Sequence, residues 1–180
     1  MSGQQFTGAD FANANLEGAS FRGSQLSGVN FSHANLRNAN FENANLTGCD
    51  LSHADIHGAR FEGANIAGCS GVDPASMDQT QLRVWLNQCH GCEFSRADFH
   101  GMDLRGIHMT GLDMTRANFR GADLENAEFS GVDLSRADLS NANLHGTRFI
   151  GCDFSRTDLR GVDLSGAQFT GSDLSSAIMR

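Results

Sequence analysis

Two closely spaced cysteines form the motif with the most chemical potential in this sequence. Cys89-His90-Gly91-Cys92 has the C-x-x-C spacing that holds zinc or acts as a redox pair. Zinc needs four ligands, and without a second C-x-x-C only Cys69 and His90 remain as further, weak metal-ligand candidates. No His directly follows the second Cys, which excludes a c-type haem attachment. Three alternatives stay open for these cysteines: small core residues, a disulfide, and metal or redox chemistry.

Arginines recur at a regular spacing of 20 residues in the second half of the chain: Arg96, Arg116, Arg136 and Arg156. An acid or amide follows each of them by two residues: Asp98, Asn118, Asp138 and Asp158. An acidic series runs beside them: Asp113, Asp133, Asp153 and Asp173. The favoured interpretation is a self-neutralising surface network, in which each exposed pair contributes about 0–1 kcal/mol. The alternative is a binding stripe for an acidic or charge-patterned partner, which makes the four arginines partner-binding candidates.

The single tryptophan, Trp85, lies in a stretch with helical spacing of its apolar residues. Leu82, Trp85 and Leu86 would share one face of a short helix that Ser76 or Asp78 could cap. In the favoured interpretation this helix packs its apolar face on the rest of the protein. In the alternative it projects and presents Trp85 to a partner, so that Trp85 is also a partner-binding candidate.

A superficial nucleophile set occurs at Ser52-His53 with Asp55. Neighbouring outward side chains on a convex surface cannot build an oxyanion hole or exclude water. The sequence also contains no Walker loop, no G-x-G-x-x-G and no EF-hand spacing. It therefore predicts no catalytic residues, no cofactor and no enzyme activity.

The overall charge and composition restrict the partners. Thirteen basic residues, all of them Arg, stand against 21 acidic ones, which gives a net charge of −8. An acidic surface repels nucleic acids and anionic membranes, so we expect neither as a partner. The first residues have no basic start and no apolar stretch, so a cytoplasmic location is expected, or a periplasmic or lumenal one if a leader has been removed.

A strict five-residue periodicity organises nearly the whole chain. Phe or Leu recurs every five residues, a small residue stands two places before it, and Asp or Asn stands directly before it. The unit reads Ala-(Asp/Asn)-(Leu/Phe)-x-Gly. This period fits neither a helix nor a strand, but fits a chain that turns a corner once per unit and points one large and one small side chain inward.

The 20-residue echoes indicate four such units per coil. They also sort the large residues into core columns: Phe21, Phe41 and Phe61; Leu104, Leu124, Leu144 and Leu164; Phe129, Phe149 and Phe169. Stacked coils would bury these columns along a dry interior with no large cavity for a substrate.

The repeat resembles that of the pentapeptide-repeat family over about nine tenths of the chain. This resemblance implies an all-β fold, a right-handed quadrilateral parallel β-helix with four pentads per coil. Residues 1–180 are expected to form a single solenoid domain, with repeat blocks at 4–68 and 92–180 and an interruption at 69–91 that carries the short helix. Placing Ile66 and Phe94 in one column leaves eight inserted residues in that interruption.

The functional expectation is a non-enzymatic structural or protein-interaction module for an unidentified protein partner, because solenoids bind through extended surfaces. Some members of the resembled family mimic DNA and bind a type II topoisomerase, which makes modulation or protection of gyrase the alternative. A metal or redox protein acting through the Cys cluster is a second alternative. Both coil ends lack an obvious cap, which predicts a homodimer or end-to-end oligomer through a solenoid terminus.

Overall fold

The computed structural model describes residues 1–180, which fall into two compact units, Met1–Glu93 and Phe94–Arg180. The first unit contains a 3-10 helix at Pro74–Ser76 and one α-helix, α1, at Gln79–Gln88. The second contains four three-residue strands: β1 at His108–Thr110, β2 at Glu128–Ser130, β3 at Arg148–Ile150 and β4 at Gln168–Thr170. Isolated parallel bridges connect most of the remaining repeats. No helix is long and apolar enough to cross a membrane.

Each pentad forms one turn, and the residue types follow from that turn. With the large apolar residue as position i, the N–H of i+3 donates to the carbonyl of i, as Ala34 does to Phe31 at 3.0 Å. The Asp or Asn at i−1 accepts the N–H of i+1, as Asn30 does from Ser32 at 2.9 Å. Position i+2 has positive φ, about +60 to +70°, which explains its preference for Gly and Asn.

Successive coils stack in parallel register at 20 residues. In the second unit β1 to β4 form one parallel sheet, in which Met109, Phe129, Phe149 and Phe169 lie in one column. In the first unit the rings of Phe21 and Phe41, and of Phe41 and Phe61, stack with centroids 5.1 Å apart. The predicted right-handed, four-sided parallel β-helix with four pentads per coil is therefore confirmed.

The large residues of the repeat form the interior. Eight of the ten core candidates are almost completely buried: Phe21, Phe41, Phe61, Leu104, Leu124, Leu144, Phe129 and Phe149. Leu164 and Phe169 are only half-buried, because their coil has a neighbouring coil on one side alone. Burial of each such side chain contributes roughly 1.5–3 kcal/mol.

Polar residues at the inward i−2 position have a recurrent partner. Thr147 Oγ1 donates to Leu124 O at 2.8 Å, and Cys49 Sγ contacts Leu26 O at 3.0 Å, in each case 23 residues earlier. A hydroxyl or thiol is therefore accommodated in place of Ala because a carbonyl of the preceding coil accepts its hydrogen bond.

Helix α1 packs on the first unit and does not project. Asp78 forms a capping box with Gln81, whose side-chain Nε2 donates to Ile56 O at 3.0 Å and Ala59 O at 2.7 Å. Trp85 is fully buried and meets the ring of Phe61 edge-on at 5.2 Å. The helix thus supplies the donor and the aromatic ring that the next coil would have supplied on this side.

The interruption contains three extra residues. The N–H of Glu93 donates to Cys69 O, and the N–H of Gly68 donates to His90 O. Each of these bonds spans three residues more than the corresponding bond between two regular coils. The expected insertion of eight residues was wrong, because it matched Phe94 with Ile66. The bond to Cys69 O instead puts Glu93 in the column of Asp50 and Ser70, since Ser70 N donates to Cys49 O in the same way.

Candidate partner-binding surface

The C-x-x-C motif forms a disulfide. Cys89 is the C-cap of α1, and the helix end brings its Cα to 5.8 Å from that of Cys92, within the range of disulfides. Of the three alternatives the structure contains the disulfide, and both of its residues are buried. The other cysteines, Cys49, Cys69 and Cys152, are buried thiols at inward positions.

The weak metal-ligand candidates do not form a cluster. The hydrogen bond with Cys49, together with burial, raises the pKa of Cys69 and keeps this thiol protonated. His90 is exposed, and its Nδ1 lies 2.9 Å from Gln88 O. No group of three or more His, Cys, Asp and Glu side chains is arranged to hold a metal ion.

The His53 and Asp55 side chains are engaged with residues other than Ser52. The ring of His53 stacks on that of His33 with centroids 4.8 Å apart. Asp55 accepts the backbone N–H of His57 and pairs with Arg37 at 3.1 Å, and these hydrogen bonds lower its pKa. The three residues therefore form no nucleophile–base–acid chain.

Trp85 is not a surface residue. Its side chain has no accessible area, because α1 lays it over Phe61. The hypothesis that Trp85 contacts a partner was wrong for this reason.

One side of the second unit concentrates positive charge; we call it the Arg side. It consists of three columns that run along the coils. The first is the Arg ladder at the corner: Arg96, Arg116, Arg136 and Arg156. The second is the carboxylate column, whose members are linked by parallel bridges: Asp98, Asn118, Asp138 and Asp158. The third column contains His100, Arg120, Ser140 and Arg160.

The Arg ladder is exposed, and its side chains make no ion pair or hydrogen bond. All four residues occupy position i+2 with φ of 61–62°, a conformation that few non-glycine residues adopt. The self-neutralising pairs expected between this ladder and the carboxylate column are absent, and that expectation was wrong. The reason is positional, because the ladder residues occupy the corner position i+2, ahead of their Asp, whereas the arginines that do pair follow theirs.

Arginines at position i+1 behave differently. Arg105 pairs with Asp103 at 2.7 Å, and Arg160 pairs with Asp158 at 2.6 Å, each with the Asp two residues before it. The Arg160 guanidinium lowers the pKa of Asp158. The Asp at i−1 and the Arg at i+1 extend from the same side of the coil, so their side chains meet.

The acidic series beside the ladder has its own role in the turns. Asp113, Asp133, Asp153 and Asp173 each accept the backbone N–H two residues later, at 2.7–2.9 Å. Hydrogen bonds from Ser155 lower the pKa of Asp153. These carboxylates make no ion pair with the Arg ladder.

The Arg side therefore differs in sign from the protein as a whole. It has six Arg against three Asp, a local charge of +3 with His100 neutral, whereas the chain carries −8. Sequence reasoning identified the ladder but missed Arg120 and Arg160 as part of the same side. The 20-residue spacing of Arg120, Ser140 and Arg160 was the signal that could have found them.

Comparison with known proteins shows to which family the repeat belongs. The family model for pentapeptide repeats matches eight copies, over residues 5–43, 34–70, 92–131, 117–156 and 137–180. No curated protein matches the chain. Among solved structures, it is similar to HetL, a pentapeptide repeat protein involved in heterocyst differentiation regulation from the cyanobacterium Nostoc sp. strain PCC 7120. The identity is 27%, over 98% of this chain and 88% of that one, with a TM-score of 0.40.

Two further solved structures are similar. A pentapeptide repeat protein from the Arabidopsis thaliana thylakoid lumen is 25% identical over 87% of this chain and 68% of that one, with a TM-score of 0.29. QnrB1, a plasmid-mediated fluoroquinolone resistance protein, is 24% identical over 96% and 86%, with a TM-score of 0.33. The family match spans most of the sequence and agrees with the turn geometry. The chain belongs to the pentapeptide-repeat family.

Proposed function

We propose that this chain is a non-enzymatic protein-interaction module whose Arg side binds an acidic segment of a partner protein. The observation that carries the proposal is the Arg ladder: four exposed guanidinium groups without an ion pair or hydrogen bond, on a protein of net charge −8. Solenoids of stacked repeats commonly bind partners through such extended surfaces.

Like-charge stacking supports an anionic partner. Two unit charges at the coil spacing of about 4.8 Å repel by about 0.9 kcal/mol in water. The ladder places four guanidinium groups on successive coils, so acidic side chains laid along it would relieve repulsion as well as gain attraction. Exposed pairs contribute about 0–1 kcal/mol each, so binding is expected to be moderate and sensitive to salt.

Fluorescence anisotropy with a short labelled peptide rich in Glu tests the proposal. Removing two ladder residues, Arg116→Ala with Arg136→Ala, should weaken binding by about tenfold. The matched control, Arg105→Ala with Arg148→Ala, removes the same charge from arginines that are already paired on other sides. Equal weakening in both double variants, or no binding of the acidic peptide by the unaltered protein, would refute the proposal.

Binding to gyrase as a DNA mimic is the competing hypothesis. A DNA mimic needs an anionic surface, which the Arg side does not offer. A supercoiling assay separates the two: a DNA mimic would alter gyrase activity or its inhibition by a quinolone at micromolar protein, whereas an unrelated interaction module would not.

Self-association through a solenoid end remains a prediction. Ile178 and Met179 are 44% and 42% exposed, and stacking of a second copy on them would bury this apolar surface. Sedimentation velocity over a range of concentrations should show a dimer or larger species, and a monomer throughout would contradict this.

A further inference from the structure

A notch interrupts the third column of the Arg side. Ser140 stands where the coils on either side have Arg120 and Arg160, and the short side chain leaves a cavity of about 300 Å³. Arg120, Asp138, Ser140, Asn141, Arg160 and Gly161 line it. The notch exists because one coil departs from the residue type that its two neighbours share.

Two groups in the notch are available for a ligand. The side chain of Arg120 makes no hydrogen bond or salt bridge, and the hydroxyl of Ser140 makes no hydrogen bond although the residue is only 7% exposed. The Arg160 side chain is held in one position at the edge of the notch, because its Nε and Nη2 donate to both carboxylate oxygens of Asp158 at 2.6–3.0 Å.

The donors within the notch suit an anion. The Arg120 guanidinium is unpaired and that of Arg160 is paired with Asp158, while Oδ1 of the one lining carboxylate, Asp138, already accepts the N–H of Ser140 at 2.8 Å. Guanidinium and hydroxyl donors that converge on one space match the oxygens of a carboxylate or a phosphate.

We propose that this notch is a specific oxyanion site, which takes the carboxylate or phosphate group of an anchoring residue in the segment bound to the Arg side. The inference rests on the proposed function and assigns a position at which the Arg side selects its partner. The Arg ladder supplies attraction along the segment, and the notch fixes its register.

Amide NMR titrations with inorganic phosphate, acetate and chloride at constant ionic strength test the site itself. Saturable shifts of the Ser140, Asn141 and Gly161 amides with phosphate or acetate are expected, and chloride should produce none. Saturation at lower phosphate than acetate would identify a phosphorylated anchor, and the reverse order an Asp or Glu. Linear shifts of the same size with all three anions would overturn the inference.

The variant Ser140→Arg separates the notch from general electrostatics. It fills the notch and adds a positive charge, in a slot that accommodates Arg in both neighbouring coils. If the notch anchors the segment, the anion-dependent shifts disappear and the affinity for the acidic peptide falls about fivefold despite the added charge. If that affinity is unchanged or rises, the notch inference fails while the proposed function stands.

A second variant keeps the inference testable if Ser140→Arg does not fold. Ser140→Ala leaves the notch open and removes one donor, so a smaller loss of anion affinity, about threefold, is expected. Unchanged anion affinity in Ser140→Ala and in Arg120→Gln would count against the site. The anions could bind in the notch while the acidic peptide binds neither the unaltered protein nor any variant. In that case the proposed function fails and the oxyanion site remains.

Discussion

Gln81 connects helix α1 to the open side of a coil, and replacing it tests how this helix is held. Its Nε2 donates to Ile56 O and Ala59 O, while its Oε1 accepts the N–H of Asp78 at 3.1 Å. In Gln81→Ala, Ile56 O keeps the N–H of Ala59 as a donor, whereas Ala59 O loses the donor that Gln81 provides. Gln81 is 8% exposed, so water replaces that bond poorly.

The expected loss follows from these contacts. An unsatisfied buried carbonyl costs about 1–3 kcal/mol, and losing half of the capping box adds about 0.5–1 kcal/mol. Gln81→Ala should therefore lower the free energy of unfolding by about 1.5–4 kcal/mol and the melting temperature by about 10 °C.

Urea unfolding followed by Trp fluorescence is the direct assay, because Trp85 is the single Trp and lies in the same helix. Thr80→Ala is the matched control, since Thr80 is an exposed position of α1 and its replacement should stay within about 0.5 kcal/mol of the unaltered protein. If Gln81→Ala and Thr80→Ala unfold at the same urea concentration, the side-chain bonds to the coil do not hold the helix.

Two further predictions concern glycines at the corners of the coils and the loss of folding stability at low pH. Gly58 and Gly28 have φ of +68° and +67°, but a Cβ at Gly58 would overlap Oδ1 of Asn38, whereas one at Gly28 meets nothing within 4 Å. Gly58→Ala should thus destabilise by about 0.5 kcal/mol more than Gly28→Ala in thermal unfolding, because the Asn38 side chain must turn aside; equal losses would contradict this, and Asn38→Gly should remove the difference. Arg160 lowers the pKa of Asp158, so this carboxylate stabilises the fold above its unfolded pKa and the contribution is lost as pH falls through the lowered folded value. Asp158→Asn should flatten the decline of urea stability below about pH 4, and an unchanged decline would show that the pair is not linked to folding.

The fold could be predicted from sequence because each pentad determines its own turn. The inward pair, the Asp or Asn at i−1 and the residue at i+2 act within five residues, and the 20-residue echo reveals the stacking. The register of the interruption could not be predicted, because it depends on which carbonyls Glu93 and Gly68 reach through hydrogen bonds after the helix.

The ion pairs were harder to predict than the columns. Arg96 and Arg105 both stand two residues from an Asp, yet only Arg105, which follows its Asp, makes the pair. The sequence distance is the same, but one arginine lies at a corner and the other on a side. The burial of Trp85 depended likewise on a contact with Phe61, distant in sequence, which local spacing does not contain.

Photo-crosslinking tests most directly whether the Arg side is the binding surface. An acidic peptide with a photoreactive residue, bound to the unaltered protein and mapped by mass spectrometry, should attach within residues 95–100, 115–120, 135–141 and 155–161. Added salt should reduce the yield. Attachment concentrated on the side that carries Asp113, Asp133, Asp153 and Asp173, or spread evenly over all four sides, would contradict the account.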